Sequence, residues 1–317
     1  MYTWVNPGDR LWRRKFEAAL RDDGHEAGEI DRCPQRYGDH RELQFSLRSL
    51  DRFAGWVRKI YIVTSGQRPV WLDEGCANVE IVAHDAIFPD ARCLPTFNSH
   101  AIELNLHRIP GLSRHFLYLN DDLFFGRESC AADFVEDGKS IWHSERTCLV
   151  SDLRMESISD RACLETLDRV AAHLGRRDVR WMPAHAPQLY DRDVIGELET
   201  RFAEDFLRTR ASRFRAADDF VLRIAYAMLA FERGQRERLL EWGSSRYAFL
   251  RMTGNPVHRL RDLAAIRRLR PKFFCLNDDL PEGWRGALLS MMMKAFLTSF
   301  FPRPSRFERT GSAVAGG

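Results

Sequence analysis

Phe116-Leu117-Tyr118-Leu119-Asn120-Asp121-Asp122-Leu123 decides how the rest of this chain is read. Four apolar or aromatic residues halted by an Asn-Asp-Asp tip form the pattern of a buried strand ending in a polar turn. In open α/β sheets ligands bind just beyond the carboxyl ends of the strands, so the tip is a candidate site. The letters Leu119 to Leu123 return unchanged as Leu276-Asn277-Asp278-Asp279-Leu280, after the aromatic run Lys272-Phe273-Phe274-Cys275. Adjacent carboxylates at a strand end suit a hard divalent cation, Mg²⁺ or Mn²⁺. Such an ion neutralises phosphate charge as a phosphoryl bond breaks. An Asn-Asp pair is also an ordinary turn and cap signal. Its repetition after two buried-type strands favours one shared metal site.

Outward from this tip, Tyr2-Thr3-Trp4-Val5 reads as a strand stopped by Asn6-Pro7-Gly8-Asp9. Lys59 to Thr64 and Val79 to Val82 are further β-rich runs. Leu43, Leu47 and Leu50 recur at helical spacing behind Asp39, a candidate helix cap, and residues 99–108 read as another helix. This alternation predicts an α/β fold, Rossmann-like, with a mostly parallel sheet. Residues 158–252 read as helical, with Leu164, Leu167 and Val170, then Ile195, Leu198 and Phe202, then Phe220, Ile224 and Met228 on successive faces. A closing helix is expected over 286–300, and the stretch from Arg303 onward reads as a loose tail. The expected organisation is an α/β part over residues 1–150, which the family resemblance given below implies to be nucleotide-sugar-binding. A helical part over 151–308 completes the same catalytic domain by returning a strand to the active site, and 309–317 form a disordered tail.

Composition narrows the function classes. The chain has 317 residues, 44% of them hydrophobic and 29% charged, enough for one large domain or two small ones. A net charge of +3 excludes a global polycation, and no nucleic-acid module is visible. Local basic clusters at Arg176, Arg177 and Arg180, and at Arg267, Arg268, Arg270 and Lys272, read first as solvated surface. Attraction of an anionic substrate or membrane face is the functional alternative. Seven cysteines without a CxxC indicate neither a disulfide framework nor a zinc site. Thiols of this kind fit a reducing compartment. With no signal-peptide pattern at 1–11 and no long apolar run, the expected location is the cytoplasm. Peripheral contact with the inner face of the membrane and the oligomeric state are left open.

Other residues carry chemistry. His185 stands between Pro183 and Pro187 in an extended, stiff segment. A fixed His that titrates near neutrality suits a general base, though one of ten histidines in a loop is also ordinary packing. Arg48, Arg154, Arg213 and Arg215 offer guanidinium forks for phosphate, against the plain alternative of surface ion pairs. Thr96, Asn98, Ser99 and Glu103 lie where a polar loop enters a helix and offer hydrogen bonds to sugar hydroxyls; Ser99 as a simple cap is the alternative.

These letters resemble the Stealth proteins, which include bacterial capsular-polysaccharide phosphotransferases and the catalytic subunit of the lysosomal-enzyme GlcNAc-1-phosphotransferase. Tyr2 to Asn6 with Gly8-Asp9 looks like the first conserved block. The second runs from Arg36-Tyr37 through Glu42-Leu43, Ser46 to Ser49, Trp56 to Thr64, Leu94 to Ser99, Ala101 to Glu103 and His107 to Leu112 to Asp122. Pro183 to Pro187 with Arg213-Phe214-Arg215 resembles the third, and Pro271 to Asp278 with Phe301 to Glu308 the fourth. The match covers residues 2 to about 308 and is to the catalytic core. Two departures stand out. Asn6 occupies a place where the family often has Asp, and Gln188 one where a second His often follows. The first block also opens unusually early.

The resemblance implies a glycosyltransferase-A-like fold and a nucleotide-sugar donor, most often UDP-GlcNAc. A hexose-1-phosphate passes to a glycan hydroxyl, UMP leaves, and a phosphodiester forms. It implies His185 as base, with Asp121 able to exchange that role, and Arg154 and Arg215 as transition-state partners. Asp122, Asn277 and Asp278 are the implied Mg²⁺ or Mn²⁺ ligands. Arg48, Asn98, Ser99, Glu103, Trp4 and Asn6 are the implied donor contacts. The alternatives are a metal-dependent glycosyltransferase releasing UDP and a non-catalytic glycan-binding module.

Overall fold

The computed structural model describes residues 1–22, 30–31, 37–175 and 180–309. Five strands form the central sheet, in the order Gln188–Asp191, His115–Asn120, Tyr2–Thr3, Ile60–Thr64, Val79–Ala83. The last four run parallel, and Gln188–Asp191 runs antiparallel against His115–Asn120. Ile60–Thr64 is buried at all five positions, as an inner parallel strand covered on both faces must be. Tyr2 pairs with both Leu119 and Ile62. That register sets the polar turns after Thr3 and Asn120 side by side at the carboxyl edge.

A second, three-stranded sheet brings the two acidic tips together. Phe273–Asn277 pairs parallel with Tyr247–Arg251 and antiparallel with Leu123–Phe125. Cys275 faces Leu123, and the next residue, Leu276, donates its N–H to the Asp122 carbonyl at 3.1 Å. Gly126 allows this close turn. A Cβ there would lie 2.2 Å from the Pro271 carbonyl oxygen. The helix Glu42–Phe53 packs over Leu123–Phe125, and Ser49 Oγ accepts from Phe125 N–H at 3.0 Å.

The second half is less helical than its periodicity suggests. Helices Ile158–Leu174, Arg192–Arg201, Ala203–Ala211 and Leu222–Glu232 are present. Strands Trp181–Pro183, Gln188–Asp191, Arg236–Leu240 and Tyr247–Arg251 interrupt them. Such segments of three to five residues are held by pairing with distant strands, which no local window shows. Leu222–Glu232 is buried continuously from Ile224 to Ala230 and forms the axis of a second core. The helix read over 99–108 is shorter: Ser99–Glu103, then a 3₁₀ turn at Leu106–Arg108.

The stretch after Arg303 is not loose before residue 310. Ser305, Phe307 and Glu308 are buried. Arg309 N–H donates to the Trp71 carbonyl. Residues 310–317, like Cys33, Arg36, Arg176 and Arg177, lie outside the described residues. Arg267 and Arg270 lie over the Phe300 ring of the closing helix Trp284–Phe300, and Lys272 pairs with Asp133 at 2.6 Å, so that basic cluster is largely engaged in packing.

Glu308 anchors the terminal segment. Arg48 Nε and Nη2 donate to its two oxygens at 2.8 and 2.7 Å, and Nη1 donates to the Phe301 carbonyl. Both partners are almost fully buried. Removing one member of a buried, hydrogen-bonded pair strands the other charge and costs about 3–5 kcal/mol. Arg48→Ala is therefore expected to lower the unfolding free energy by about 3–5 kcal/mol in urea titration. Arg48→Met with Glu308→Leu should recover most of it. A loss under about 1 kcal/mol for the single variant would place the pair at the surface.

Candidate active site

The two acidic tips meet, and a third segment joins them. Asp122 Oδ2 accepts from Cys275 Sγ at 3.2 Å and from Asn277 Nδ2 at 3.3 Å. Asp121 feels the charges of Asp122, Asp278 and Asp39. The segment Asp39–Glu42 closes the group: one oxygen or nitrogen each from His40, Glu42 and Asp278 lie within 4.8 Å of one another.

Asp39 does not cap the helix, as its position suggested. Arg41 is the N-cap residue, in a left-handed conformation (φ 72°), and makes no side-chain cap bond. A positive φ at a bulky residue is strained and tends to persist where function demands it. Here the bend stands between His40 and Glu42. Asp39 Oδ1 accepts from Arg41 N–H at 3.0 Å, and its carboxyl also meets the Trp4 side chain. Trp4, an expected donor contact, is buried beside this arm.

Five carboxyls thus crowd one place: Asp39, Glu42, Asp121, Asp122 and Asp278. Burial, then repulsion from Asp121 and Asp278, pushes Glu42 well above the carboxylate range. Burial, then Asp122, Asp278 and Asp39, does the same to Asp121. Burial lifts Asp122 to about 6. Asp278 and Asp39 rise for the same first reason. Glu42 Oε1 and Asp122 Oδ1 are buried with no hydrogen-bond partner. Buried carboxyl oxygens without protein partners, in a group whose charges repel one another, suit a hard divalent cation. His40, Glu42 and Asp278 would hold it, and Asp122, which feels the charge of Asp278, would complete the set with Asn277 beside it.

His185 approaches along the same sheet. Its ring stacks on Phe249 with centroids 4.7 Å apart. Phe249 pairs with Cys275, and Arg251 with Asn277. Alternate residues on paired parallel strands share a face, so Phe249, Arg251, Cys275 and Asn277 line one side. Burial, then the charges of Arg223 and Arg251, lowers His185 to about 3. It is a neutral imidazole at physiological pH. Arg223 and Arg251 escaped the sequence reading because nothing local separates them from other helix or strand arginines.

The remaining expected residues do not gather on this face. Arg48 is bound to Glu308, as above. Asn98 is fully buried: its Oδ1 accepts from His100 and Ala101 N–H, and its Nδ2 donates to Asp219 Oδ2 at 2.9 Å and to the Phe214 carbonyl. It caps the helix and locks two loops, which uses the N–H groups that a ligand would need. Ser99 Oγ accepts from Arg215 Nε at 3.0 Å. Asn6 folds its own turn, accepting from Gly8 N–H at 2.8 Å, while its backbone is held by Gln67. Glu103 is half-buried among Tyr118, Tyr190 and Arg223. Arg154 is exposed, ahead of the helix Ile158–Leu174. Arg213 is exposed near Asp22.

Two cavities flank the segment 37–42. One, of about 280 Å³, is lined by Trp12, Lys15, Ser65, Gly66, His84, Asp85 and Phe97. It opens at the carboxyl ends of Ile60–Thr64 and Val79–Ala83, and Ser65 Oγ there is buried without a partner. The other, of about 290 Å³, is lined by His40, Asp278, Leu280, Pro281, Ala287 and Ser290.

Three profiles of one family match the chain: Stealth protein CR2, conserved region 2, over residues 36–142; CR3, conserved region 3, over 184–227; and CR4, conserved region 4, over 264–315. The chain belongs to the Stealth family. The regions contain the residues described above: CR2 the Asp39–Glu42 segment and Asp121-Asp122, CR3 His185, and CR4 Asn277-Asp278. Among curated relatives, this Stealth chain is 36% identical over 318 residues to exopolysaccharide phosphotransferase SCO6023 of Streptomyces coelicolor, covering 99% of the chain and 53% of that protein. It is 33% identical over 325 residues to exopolysaccharide phosphotransferase CpsY of Mycobacterium tuberculosis, covering 99% and 58%. It therefore spans little more than half the length of these relatives. Among solved structures it aligns with the galactosyltransferase LgtC in complex with donor and acceptor sugar analogues (TM-score 0.42, 12% identity, 82% of this chain and 92% of that one). It also aligns with the bifunctional glycosyltransferase WbbM (TM-score 0.43, 10% identity, 83% and 48%). Among the described residues no helix is long and apolar enough to cross a membrane.

Buried neutral histidines give the Stealth chain an acid-sensitive limb. Burial lowers His143 to about 4. The unfolded chain then binds the proton that the folded chain refuses between pH about 6.5 and 4, so stability falls as pH falls through that window. At pH 5 the loss from His143 is about 2 kcal/mol relative to pH 7. His143→Gln should flatten that limb in denaturation midpoints, and an unchanged slope would show that His143 is solvated.

Proposed function

We propose that this chain is the catalytic part of a sugar-1-phosphate transferase. It moves a hexose-1-phosphate, with GlcNAc-1-phosphate from UDP-GlcNAc as the working donor, onto a glycan hydroxyl of an exopolysaccharide acceptor and releases UMP. The observation that carries this reading is the knot of Glu42, Asp121, Asp122 and Asp278 with two buried, unpartnered oxygens. Phosphoryl transfer depends mainly on positioning and charge neutralisation, which such a group bound to Mg²⁺ or Mn²⁺ supplies. The names of the relatives point the same way.

In this reading the cavity beside Trp12 and Phe97 takes the nucleoside. It has aromatic walls, the free Ser65 hydroxyl, and the position past parallel strand ends where such ligands bind. The cavity beside His40 and Ser290 takes the acceptor. His185 removes the proton from the attacking hydroxyl, and Arg251 and Arg223, whose charges reach His185, face the developing phosphate charge. Asp121, shielded by the ion, is the alternative base.

A panel of nucleotide sugars with Mg²⁺ and an exopolysaccharide acceptor should release UMP and leave phosphorus in the polymer. Release of UDP, with no phosphodiester formed, would instead make the chain a glycosyltransferase. Glycan binding that is insensitive to EDTA, without nucleotide turnover, would make it a binding module.

A further inference from the structure

The two oxygens of Asp122 are used unequally. Oδ2 accepts both the Cys275 thiol and the Asn277 amide, whereas Oδ1 is buried and has no partner. We propose that Cys275 is a positioning residue for a divalent-cation site, holding Asp122 Oδ2 so that Oδ1 faces the ion. The inference rests on the cation-binding reading of the carboxyl cluster given above.

Cys275 is fully buried in the middle of a three-stranded sheet, paired with Phe249 on one side and Leu123 on the other. Pairing on both sides fixes its backbone, and its side chain falls on the face that carries Asn277. A buried cysteine usually packs as a small apolar residue, and Val or Ala would serve that purpose equally well. The thiol adds a donor aimed at one carboxylate oxygen. A single donor lets a carboxylate swivel about its last bond. Two donors from one strand, at 3.2 and 3.3 Å, set its plane. Such outer partners of metal-ligating carboxylates are worth about 10–100-fold in metal affinity.

The test is binding of Mn²⁺ alone to the full chain, followed by electron paramagnetic resonance of the free ion, with no nucleotide sugar present. Cys275→Ala should weaken Mn²⁺ binding about 10–100-fold. Cys275→Ser, which keeps a donor, should stay within about threefold of the unaltered chain. Metal-free melting curves show whether each variant folds. If Cys275→Ala does not, Cys275→Val, which lacks a donor at similar volume, replaces it in the comparison. Equal Mn²⁺ affinity for donor-free and donor-bearing variants overturns the proposal, as does a serine variant as weak as the alanine one. No Mn²⁺ binding by the unaltered chain would overturn the cation reading itself, which separates the two failures.

Discussion

Asp122→Asn is expected to stabilise the metal-free protein at pH 7.5, to abolish the stabilisation that Mg²⁺ gives the unaltered chain, and to cut turnover about 10³-fold or more. The three effects share one cause. Burial lifts the Asp122 carboxyl to about 6, so the folded state holds its proton more tightly than the unfolded state does. Stability is then lost as pH rises from about 4 to about 6, and above that window the ionised group costs roughly 2–3 kcal/mol. The Asn oxygen can accept the same bonds from Cys275 and Asn277 without that charge. The cation loses a ligand, and with it several kcal/mol of charge stabilisation in the transition state. Thermal melts with and without Mg²⁺ at pH 7.5 decide the matter. An undiminished Mg²⁺ shift in the variant would remove Asp122 from the ion's ligands.

His185→Ala should reduce phosphotransfer about 10²–10⁴-fold while leaving the Mg²⁺-dependent melting shift intact. Its ring is held by Phe249 rather than by a carboxylate, and burial with Arg223 and Arg251 keeps it neutral. A neutral imidazole is ready to accept a proton, and a dianionic diphosphate beside those arginines would raise its affinity for one. The companion variant is Asp121→Asn. Loss of the Mg²⁺ shift there, with a normal shift in His185→Ala, assigns Asp121 to the ion and His185 to the proton. Near-normal UMP release from His185→Ala would hand the base role to Asp121.

Much of the carboxyl cluster is legible in the order of the residues. The repeated Leu-Asn-Asp-Asp-Leu tips do meet, because Leu123–Phe125 and Phe273–Cys275 pair in the register that aligns them. The third arm is not legible there. Asp39 and Glu42 stand before and at the start of a helix, where capping residues are common, and only the folded chain brings them within reach of the charges of Asp121 and Asp278. Arg48 misleads for a related reason. A guanidinium that fits phosphate fits Glu308 equally well, and which one it meets depends on a segment far away in the sequence. Asn98 likewise serves as helix cap and loop lock rather than sugar contact.

By itself the sequence determined the alternation of strands and helices, the parallel sheet and the family, since these rest on local periodicity and ordered blocks of letters. The tertiary structure alone decided which polar groups are partnered and which are left over. Hydrogen-bonding capacity in the interior is shared among residues far apart along the chain. Arg48, Asn98 and Asn6 are satisfied by protein, whereas Glu42 Oε1 and Asp122 Oδ1 are among the buried atoms that are not.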